Sequence, residues 1–149
     1  MKKIILFLSF LLFVSCGYQP IFSNKSSNFL IEEIIYDKND KISLKIKNRL
    51  NYLTLTKNYT EVIKLKLKSE KKINTSSKDK KGNPLVYKMI ININIEIYSN
   101  DEIANQKSIT KDFSYKNTSN KFDLKQYEKT IEDNLIEVIK EDIILILYN

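Results

Sequence analysis

Residues 85–97, LVYKMIININIEI, decide the fold, because every odd position in this stretch is apolar. The intervening positions include Lys88, Asn92, Asn94 and Glu96. A period of two places alternate side chains on opposite faces of a strand. The stretch therefore predicts a long β-strand with one buried face and one hydrated face.

Two further stretches alternate in the same way. Residues 59–73 carry apolar side chains mainly at odd positions, and residues 107–116 again place apolar side chains on one side. These apolar residues are Tyr59, Ile63, Leu65 and Leu67 in the first stretch and Ile109, Phe113 and Tyr115 in the second. The polar stretch 74–84, NTSSKDKKGNP, predicts a mobile loop, and SNDE at 99–102 predicts a turn. We expect the three strands to form an antiparallel meander.

The segments on either side of the meander predict one more strand and two helices. FLIEEIIY, residues 29–36, is short, apolar and β-branched, which is typical of a strand. Asp40 is a suitable N-cap for a helix whose apolar face carries Ile42, Ile46, Leu50 and Leu53. A longer helix is predicted over 122–147, with Asn120 as its cap. Its expected inner face carries Leu124, Tyr127, Ile131, Leu135 and Val138, with Asp142 or Ile143.

The predicted order of elements is β-α-β-β-β-α. Such an order predicts an α+β fold, a two-layer sandwich of a mainly antiparallel four-stranded sheet with two helices on one face. We expect one domain over residues 29–149, which is long enough to bury a sizeable core.

Composition excludes several kinds of active site. The chain contains no histidine or tryptophan and one cysteine, Cys16, so Cys/His metal sites and cysteine- or histidine-based catalysis are not available. Gly17 and Gly82 are the only glycines, too few for a phosphate-binding loop. The net charge of +7 favours an anionic partner, although part of the lysine excess reflects a bias toward Lys, Asn and Ile. Catalysis by carboxylates alone remains possible, but the spacing of the acidic residues does not suggest it. We expect no metal and no cofactor.

The amino-terminal residues predict an export signal. MKKIILFLSFLLFVSC begins with two lysines, continues with an apolar run from Ile4 to Val14 and ends on the small Ser15 before Cys16. The run is far shorter than the roughly 20 residues that a membrane-spanning helix needs. Removal of residues 1–15 would leave 134 residues (149 − 15) with 23 basic and 18 acidic side chains, a net charge of +5.

FVSC, ending at Cys16, resembles the lipobox of bacterial lipoproteins. The resemblance implies that residues 1–15 are a signal peptide and that Cys16 carries a diacylglycerol and an acyl chain. Residues 16–28 would then be a lipidated tether. Because each buried methylene contributes about 0.8 kcal/mol, several acyl chains hold a protein at a membrane surface. Gly17, where aspartate would indicate retention, implies the outer membrane, on its periplasmic side.

The segment that follows, CGYQPIF at 16–22, resembles the opening of alphaproteobacterial LPS-assembly lipoproteins, the LptE family. KNRLNYL at 47–53 is similar to a stretch in the first helix of that family, and the order of elements is similar over nearly all the mature chain. The resemblance implies a non-enzymatic protein that sits within the β-barrel protein LptD. There it would help to assemble the barrel and to export lipopolysaccharide to the outer leaflet.

Two groups of lysines are candidate contacts with the barrel or with lipopolysaccharide. Lys64, Lys66 and Lys68 are predicted on the hydrated face of the sheet, and Lys78, Lys80 and Lys81 in the polar loop. Ammonium groups there would suit the phosphates of a lipid headgroup. An ordinary solvated sheet face and loop would show the same charge pattern.

Two other functions remain open from the sequence. A periplasm-facing lipoprotein that binds another apolar or anionic ligand would need a ligand-sized cavity between helices and sheet. A lipid-active hydrolase would need a site of Asp, Glu, Ser or Lys residues, and their spacing suggests none. Nucleic acid is not an expected partner for an exported lipoprotein.

Overall fold

A computed structural model of the chain describes residues 28–55, 57 and 59–148. In chain order the elements are strand β1 (Phe29–Tyr36), helix α1 (Lys41–Leu50), a 3-10 helix (Asn51–Leu55), strands β2 (Glu61–Lys78), β3 (Pro84–Ser99) and β4 (Glu102–Lys116), and helix α2 (Lys121–Leu147). The predicted order and the α+β class are confirmed. The predicted signal peptide, Cys16 and the predicted tether up to residue 27 lie outside the described residues.

The four strands form one sheet in the order β1-β2-β3-β4. Strands β2, β3 and β4 are the predicted antiparallel meander, and Ile95 of β3 pairs with Leu67 on one side and Lys107 on the other. Strand β1 runs parallel to β2, from Phe29 opposite Glu61 to Tyr36 opposite Leu67. Parallel neighbours need a crossover connection, which α1 supplies.

The core lies between the sheet and the two helices. Odd positions are buried from Ile63 to Leu67 in β2 and from Met89 to Ile97 in β3, and Leu65, Ile91, Ile93 and Ile95 are at most 1% exposed. Both helices lie on this inner face: α1 contributes Ile42, Ile46 and Leu50 to the core, and α2 contributes Leu124, Ile131, Leu135, Ile136, Ile139, Ile143 and Ile144. Burying an isoleucine side chain contributes about 1.5–3 kcal/mol, so this layer supplies most of the folding free energy.

Local side-chain contacts fix the ends of the helices and the turns, largely as predicted. Asp40 caps α1 by accepting a hydrogen bond from Ser43 N at 2.9 Å, and Asn120 caps α2 by accepting one from Phe122 N at 3.0 Å. Asn100 and Asp101 have φ of 52° and 64°, the two positive values that a two-residue type I′ hairpin turn requires.

The largest error of the sequence interpretation is at residues 74–84. The predicted mobile loop is mostly strand, because β2 continues through Lys78 paired with β3, and only residues 79–83 form the connection. Strand β4 also starts earlier than predicted, at Glu102. Val138, Tyr127 and Phe113 are 45–47% exposed rather than core residues. The core-facing position of α2 beside Val138 is taken by Ile139, which is fully buried.

Candidate partner-binding surface

The outer face of the sheet, opposite the helices, is formed by the even positions of β2, β3 and β4. Register places Lys66 beside Glu96, which in turn lies beside Gln106. The next row contains Lys68, Asn94 and Ser108. This outer sheet face is hydrophilic along its middle rows, as the alternation predicted, and Lys64, Lys66 and Lys68 lie on it.

Two of these three lysines are paired with acids on neighbouring strands or in the β3–β4 turn. Lys64 Nζ lies 2.7 Å from Asp101 Oδ1 and 3.8 Å from Glu32 Oε2. Lys66 Nζ lies 3.0 Å from Glu96 Oε2, to which Tyr98 Oη also donates at 2.6 Å.

The ion pairs stabilise the charged forms of their members. The hydrogen bond from Lys64 lowers the pKa of Asp101, and the hydrogen bonds from Tyr98 and Lys66 lower the pKa of Glu96. The hydrogen bond to Glu96 correspondingly raises the pKa of Lys66. At this end the outer sheet face presents alternating charges rather than a positive field.

Lys68 differs from its two neighbours. It is exposed and makes no ion pair within the described part of the chain. Its cross-strand partner, Asn94, is neutral. Of Lys64, Lys66 and Lys68, Lys68 is therefore the one whose positive charge is not neutralised by a described acid and is free to contact a partner.

Lys78, Lys80 and Lys81 lie at the far tip of the β2–β3 hairpin. Lys78 is the last residue of β2, and the other two lie in the turn. Asp79 organises this turn by accepting hydrogen bonds from the backbone of Lys81 and Asn83, both at 2.8 Å, and from the Asn83 side chain at 2.9 Å. These bonds, led by that of the Asn83 side chain, lower the pKa of Asp79.

The two groups of lysines do not form one site. Lys64 and Lys78 are fourteen positions apart on the same extended strand, which corresponds to roughly 45 Å at about 3.3 Å per residue. Sequence reasoning also missed the acids that neutralise Lys64 and Lys66. Glu96 and Asp101 are 30 and 37 residues away in the chain, so their positions follow only from strand register.

A cleft of about 990 Å³ opens on the helix-covered face, between the amino-terminal ends of α1 and α2. Sequence reasoning did not predict it, because it exists where neither helix covers the end of β2. Its lining includes the β2 residues Ser69, Lys71 and Ile73. The helical residues that line it include Lys41 and Lys45 on α1 and Phe122, Lys125, Glu128, Lys129 and Glu132 on α2.

Glu132 is the electrostatic centre of this cleft. Its two carboxylate oxygens accept from Lys45 and Lys71, each at 2.6 Å, and its side chain is 15% exposed. Burial alone would raise the pKa of Glu132, but the two lysines outweigh burial and lower it. Through these two ion pairs, Glu132 links α2 to α1 and to β2 at the floor of the cleft.

The described residues contain no cluster of three or more potential metal ligands. Among the helices in the described ranges, none is both long and apolar enough to span a membrane.

The fold matches solved structures of bacterial lipoproteins. Rare lipoprotein B from Shewanella oneidensis superposes with a TM-score of 0.59 at 14% identity, over 78% of this chain and 93% of that one. A minor lipoprotein from Acinetobacter baumannii gives a TM-score of 0.56 at 14% identity, over 78% and 87% of the two chains. Lipoprotein B from Nitrosomonas europaea gives 0.54 at 8% identity, over 84% and 88%.

No protein-family model matches the sequence, and comparison with curated proteins gives no significant match. At identities of 8–14%, the structural likeness establishes a shared fold. The chain thus has the α+β fold found in these rare lipoprotein B and minor lipoprotein structures.

Proposed function

We propose that the protein is an outer-membrane lipoprotein, acylated at Cys16, that partners an LptD-like β-barrel in the assembly and export of lipopolysaccharide. The role is docking and requires no enzymatic activity. The observation that carries the proposal is the fold shared with rare lipoprotein B, over 93% of that chain. That fold has the order of elements that the resemblance to the LptE family implies, and the lipobox cysteine precedes it in the sequence.

The outer sheet face is the surface that suits the wall of a barrel lumen. Its middle rows carry Lys66, Glu96 and Gln106 and then Lys68, Asn94 and Ser108, so they offer donors and acceptors without an apolar patch. Paired charges and amides fit a hydrophilic protein wall, because the free energy of hydration that they lose is offset when each group forms a hydrogen bond with the wall. Lys68 and the hairpin lysines add charge for an anionic contact such as a headgroup phosphate.

Co-purification tests the barrel partnership. The native lipoprotein, carrying a C-terminal affinity tag, is purified from outer membranes in mild detergent, and its partners are identified by mass spectrometry. We expect a large β-barrel protein in stoichiometric yield. An unrelated tagged outer-membrane lipoprotein, expressed to the same level, is the control. Recovery of the lipoprotein without any barrel would refute the proposal.

Charge reversal tests the outer sheet face. Lys68→Glu removes the charge that has no ion-pair partner in the described structure, so it is expected to weaken barrel recovery without affecting stability. Glu141→Lys, on an exposed position of α2, is a control of equal charge magnitude on the opposite layer. Equal barrel recovery from wild type and Lys68→Glu would assign Lys68 to the solvent-exposed surface.

A further inference from the structure

The outer edge of β2 is only partly covered. Strand β1 ends at Tyr36, opposite Leu67, while β2 continues to Lys78. From Lys68 onward, β3 is the only described strand beside β2. An uncovered edge presents a row of backbone donors and acceptors that can pair with another chain.

The first edge donor beyond β1 shows which way this row points. Ser69 N–H is directed away from β3 and donates to Asp40 Oδ2 at 2.7 Å. Because backbone groups two residues apart in a strand point to the same side, the N–H groups of Lys71 and Ile73 face the same way. Strand β1 pairs no further than Leu67, so no described strand lies beside them on that side.

These edge groups open into the cleft between α1 and α2. Ser69, Lys71 and Ile73 line it, and its volume of about 990 Å³ lies alongside the uncovered edge. Ile73 is 40% exposed, and Phe122, on the opposite wall, is 78% exposed. A strand seated here would continue the line of β1 and cover both apolar side chains.

The charges that line the cleft indicate which kind of strand could bind there. The cleft carboxylates are already occupied: Asp40 accepts from Ser43 and Ser69, Glu128 from Tyr115, and Glu132 from Lys45 and Lys71. In the described structure, the cleft residues Lys41, Lys125 and Lys129 make no ion pair. Asp40 and Glu128 keep their negative charge, because their donors are neutral, but five lysines and three carboxylates line the cleft, so its net charge is +2 (5 − 3). The cleft therefore favours an anionic ligand.

We propose that this cleft binds an extended acidic segment of a partner protein, which adds to the sheet as a fifth strand beside Lys71 and Ile73. Main-chain hydrogen bonds supply affinity in this mode of recognition, and alternate side chains supply specificity. Lysines along an edge deter pairing between copies of the same basic chain, which keeps the edge free for an acidic one. The site lies on the face opposite the outer sheet face, so the proposal goes beyond barrel docking and stands independently of it.

A designed peptide tests the site. The probe is a fluorescently labelled acetyl-EVEVEVEV-amide, added to the full acylated protein in non-ionic detergent, with acetyl-KVKVKVKV-amide as its charge-reversed control. We expect saturable binding of the acidic peptide and at least tenfold weaker binding of the basic one. Hydrogen–deuterium exchange is expected to slow at residues 71–73 and to remain unchanged along β4, the other sheet edge.

Two variants separate the backbone contact from the charge. Ile73→Pro removes an edge N–H that does not pair with β3, a position at which a strand tolerates proline, and is expected to weaken binding at least tenfold. Lys125→Glu with Lys129→Glu leaves the strand intact and is expected to slow association roughly tenfold at low salt. Lys107→Glu with Lys116→Glu makes the same charge change at exposed positions of β4, on the other edge of the sheet, and is expected to bind within twofold of wild type.

Three results would overturn the proposal. One is binding of the acidic peptide with no change in exchange at residues 71–73. Another is equal affinity of wild type and the Lys125/Lys129 variant, which remains decisive if Ile73→Pro fails to fold. The third is displacement of the peptide by phosphatidylethanolamine–phosphatidylglycerol vesicles, together with loss of vesicle binding in the Lys125/Lys129 variant. That result would make the cleft a lipid-binding site. Barrel co-purification is measured separately, so failure of either proposal is recognised without the other.

Discussion

Asp40 shows how much one side chain holds in place. Its carboxylate accepts from the backbone and hydroxyl groups of both Ser43 and Ser69. It therefore caps α1 and at the same time ties the start of that helix to β2. Burial alone would raise the pKa of Asp40, but the hydrogen bonds from Ser43 and Ser69 outweigh burial and lower it.

Replacing this carboxylate should destabilise the domain in a pH-dependent way. Asp40→Asn keeps the shape but loses acceptor capacity, and we expect the free energy of unfolding at pH 7 to fall by about 1–2 kcal/mol. Because the folded pKa lies below the unfolded value of about 3.9, the wild-type advantage is complete above that pH. It disappears as pH falls through the folded pKa.

Urea unfolding followed by circular dichroism at pH 7 and in steps below pH 4 measures this loss. Asp37→Asn is the matched control, because in the described structure the Asp37 carboxylate accepts one hydrogen bond, from Asn39 N in an exposed turn. It should change stability by less than about 0.5 kcal/mol. An Asp40→Asn deficit that stays constant down to pH 2 would contradict the assignment of the stabilisation to the charged carboxylate.

At the scale of elements, β3 is the strand on which the sheet depends, since it pairs along its length with both β2 and β4. Its alternation is a local property of the sequence, and so it was predictable. The extension of β2 to Lys78 was not, because no helix covers that end, and its side chains are exposed on both faces without an apolar period. Pairing with β3 keeps it extended, and pairing is not encoded locally.

The two faces of β3 should respond differently to truncation. Ile93 is fully buried between Ser69 and Ile109, whereas Asn94 is exposed on the outer face. Ile93→Ala is expected to lower the free energy of unfolding by about 2–5 kcal/mol through lost burial and a residual cavity. Asn94→Ala should cost less than about 0.5 kcal/mol. Chemical denaturation of both variants measures the difference, and similar values for the two would contradict the burial pattern.

The β2–β3 turn depends on the backbone of one glycine. Gly82 has φ of +85°, and an added Cβ would meet no atom within 4 Å. Gly82→Ala is therefore expected to cost about 1 kcal/mol from backbone conformation alone, without a steric clash. Lys81→Ala, next to it, keeps the backbone hydrogen bond to Asp79 and should be nearly neutral. Thermal unfolding compares the two variants, and equal melting temperatures would argue against strain at position 82.

At the scale of the whole molecule, element order was predictable, but the arrangement of charges was not. Helix caps and apolar periods involve residues a few positions apart, so Asp40 and Asn120 could be identified from sequence. The pairing of Lys64 with Asp101, and of Lys45 and Lys71 with Glu132, depends on register and on how the helices lie across the sheet. The predicted basic face is for that reason largely neutralised, while the cleft was not anticipated.

Anchoring of the protein to the membrane is a property of the whole molecule, and substitution of Cys16 tests it. Cys16→Ala is expected to release the protein from membranes while leaving the domain folded, because the core of the described residues is formed from Phe29 onward. Fractionation after carbonate washing, with circular dichroism of the released protein, measures both effects. Ser15→Ala keeps a small residue before the cysteine and should remain membrane-bound. Full membrane retention of Cys16→Ala would contradict acylation as the anchor.

The parallel pairing of β1 has a mechanical consequence. Once Cys16 carries lipid, as we propose, tension between the membrane and a docked partner reaches the first described residue, Asn28, whose carbonyl accepts from Thr60 N at 2.7 Å and Thr60 Oγ1 at 3.0 Å. Tension along the axis of β1 loads its rungs to β2 together, in shear, instead of peeling them one at a time. The Phe29 ring packs edge-on against the Tyr148 ring, with 5.4 Å between the ring centroids, and this contact also opposes displacement of the start of β1. The domain should therefore resist unfolding when tension is applied through its lipidated amino terminus.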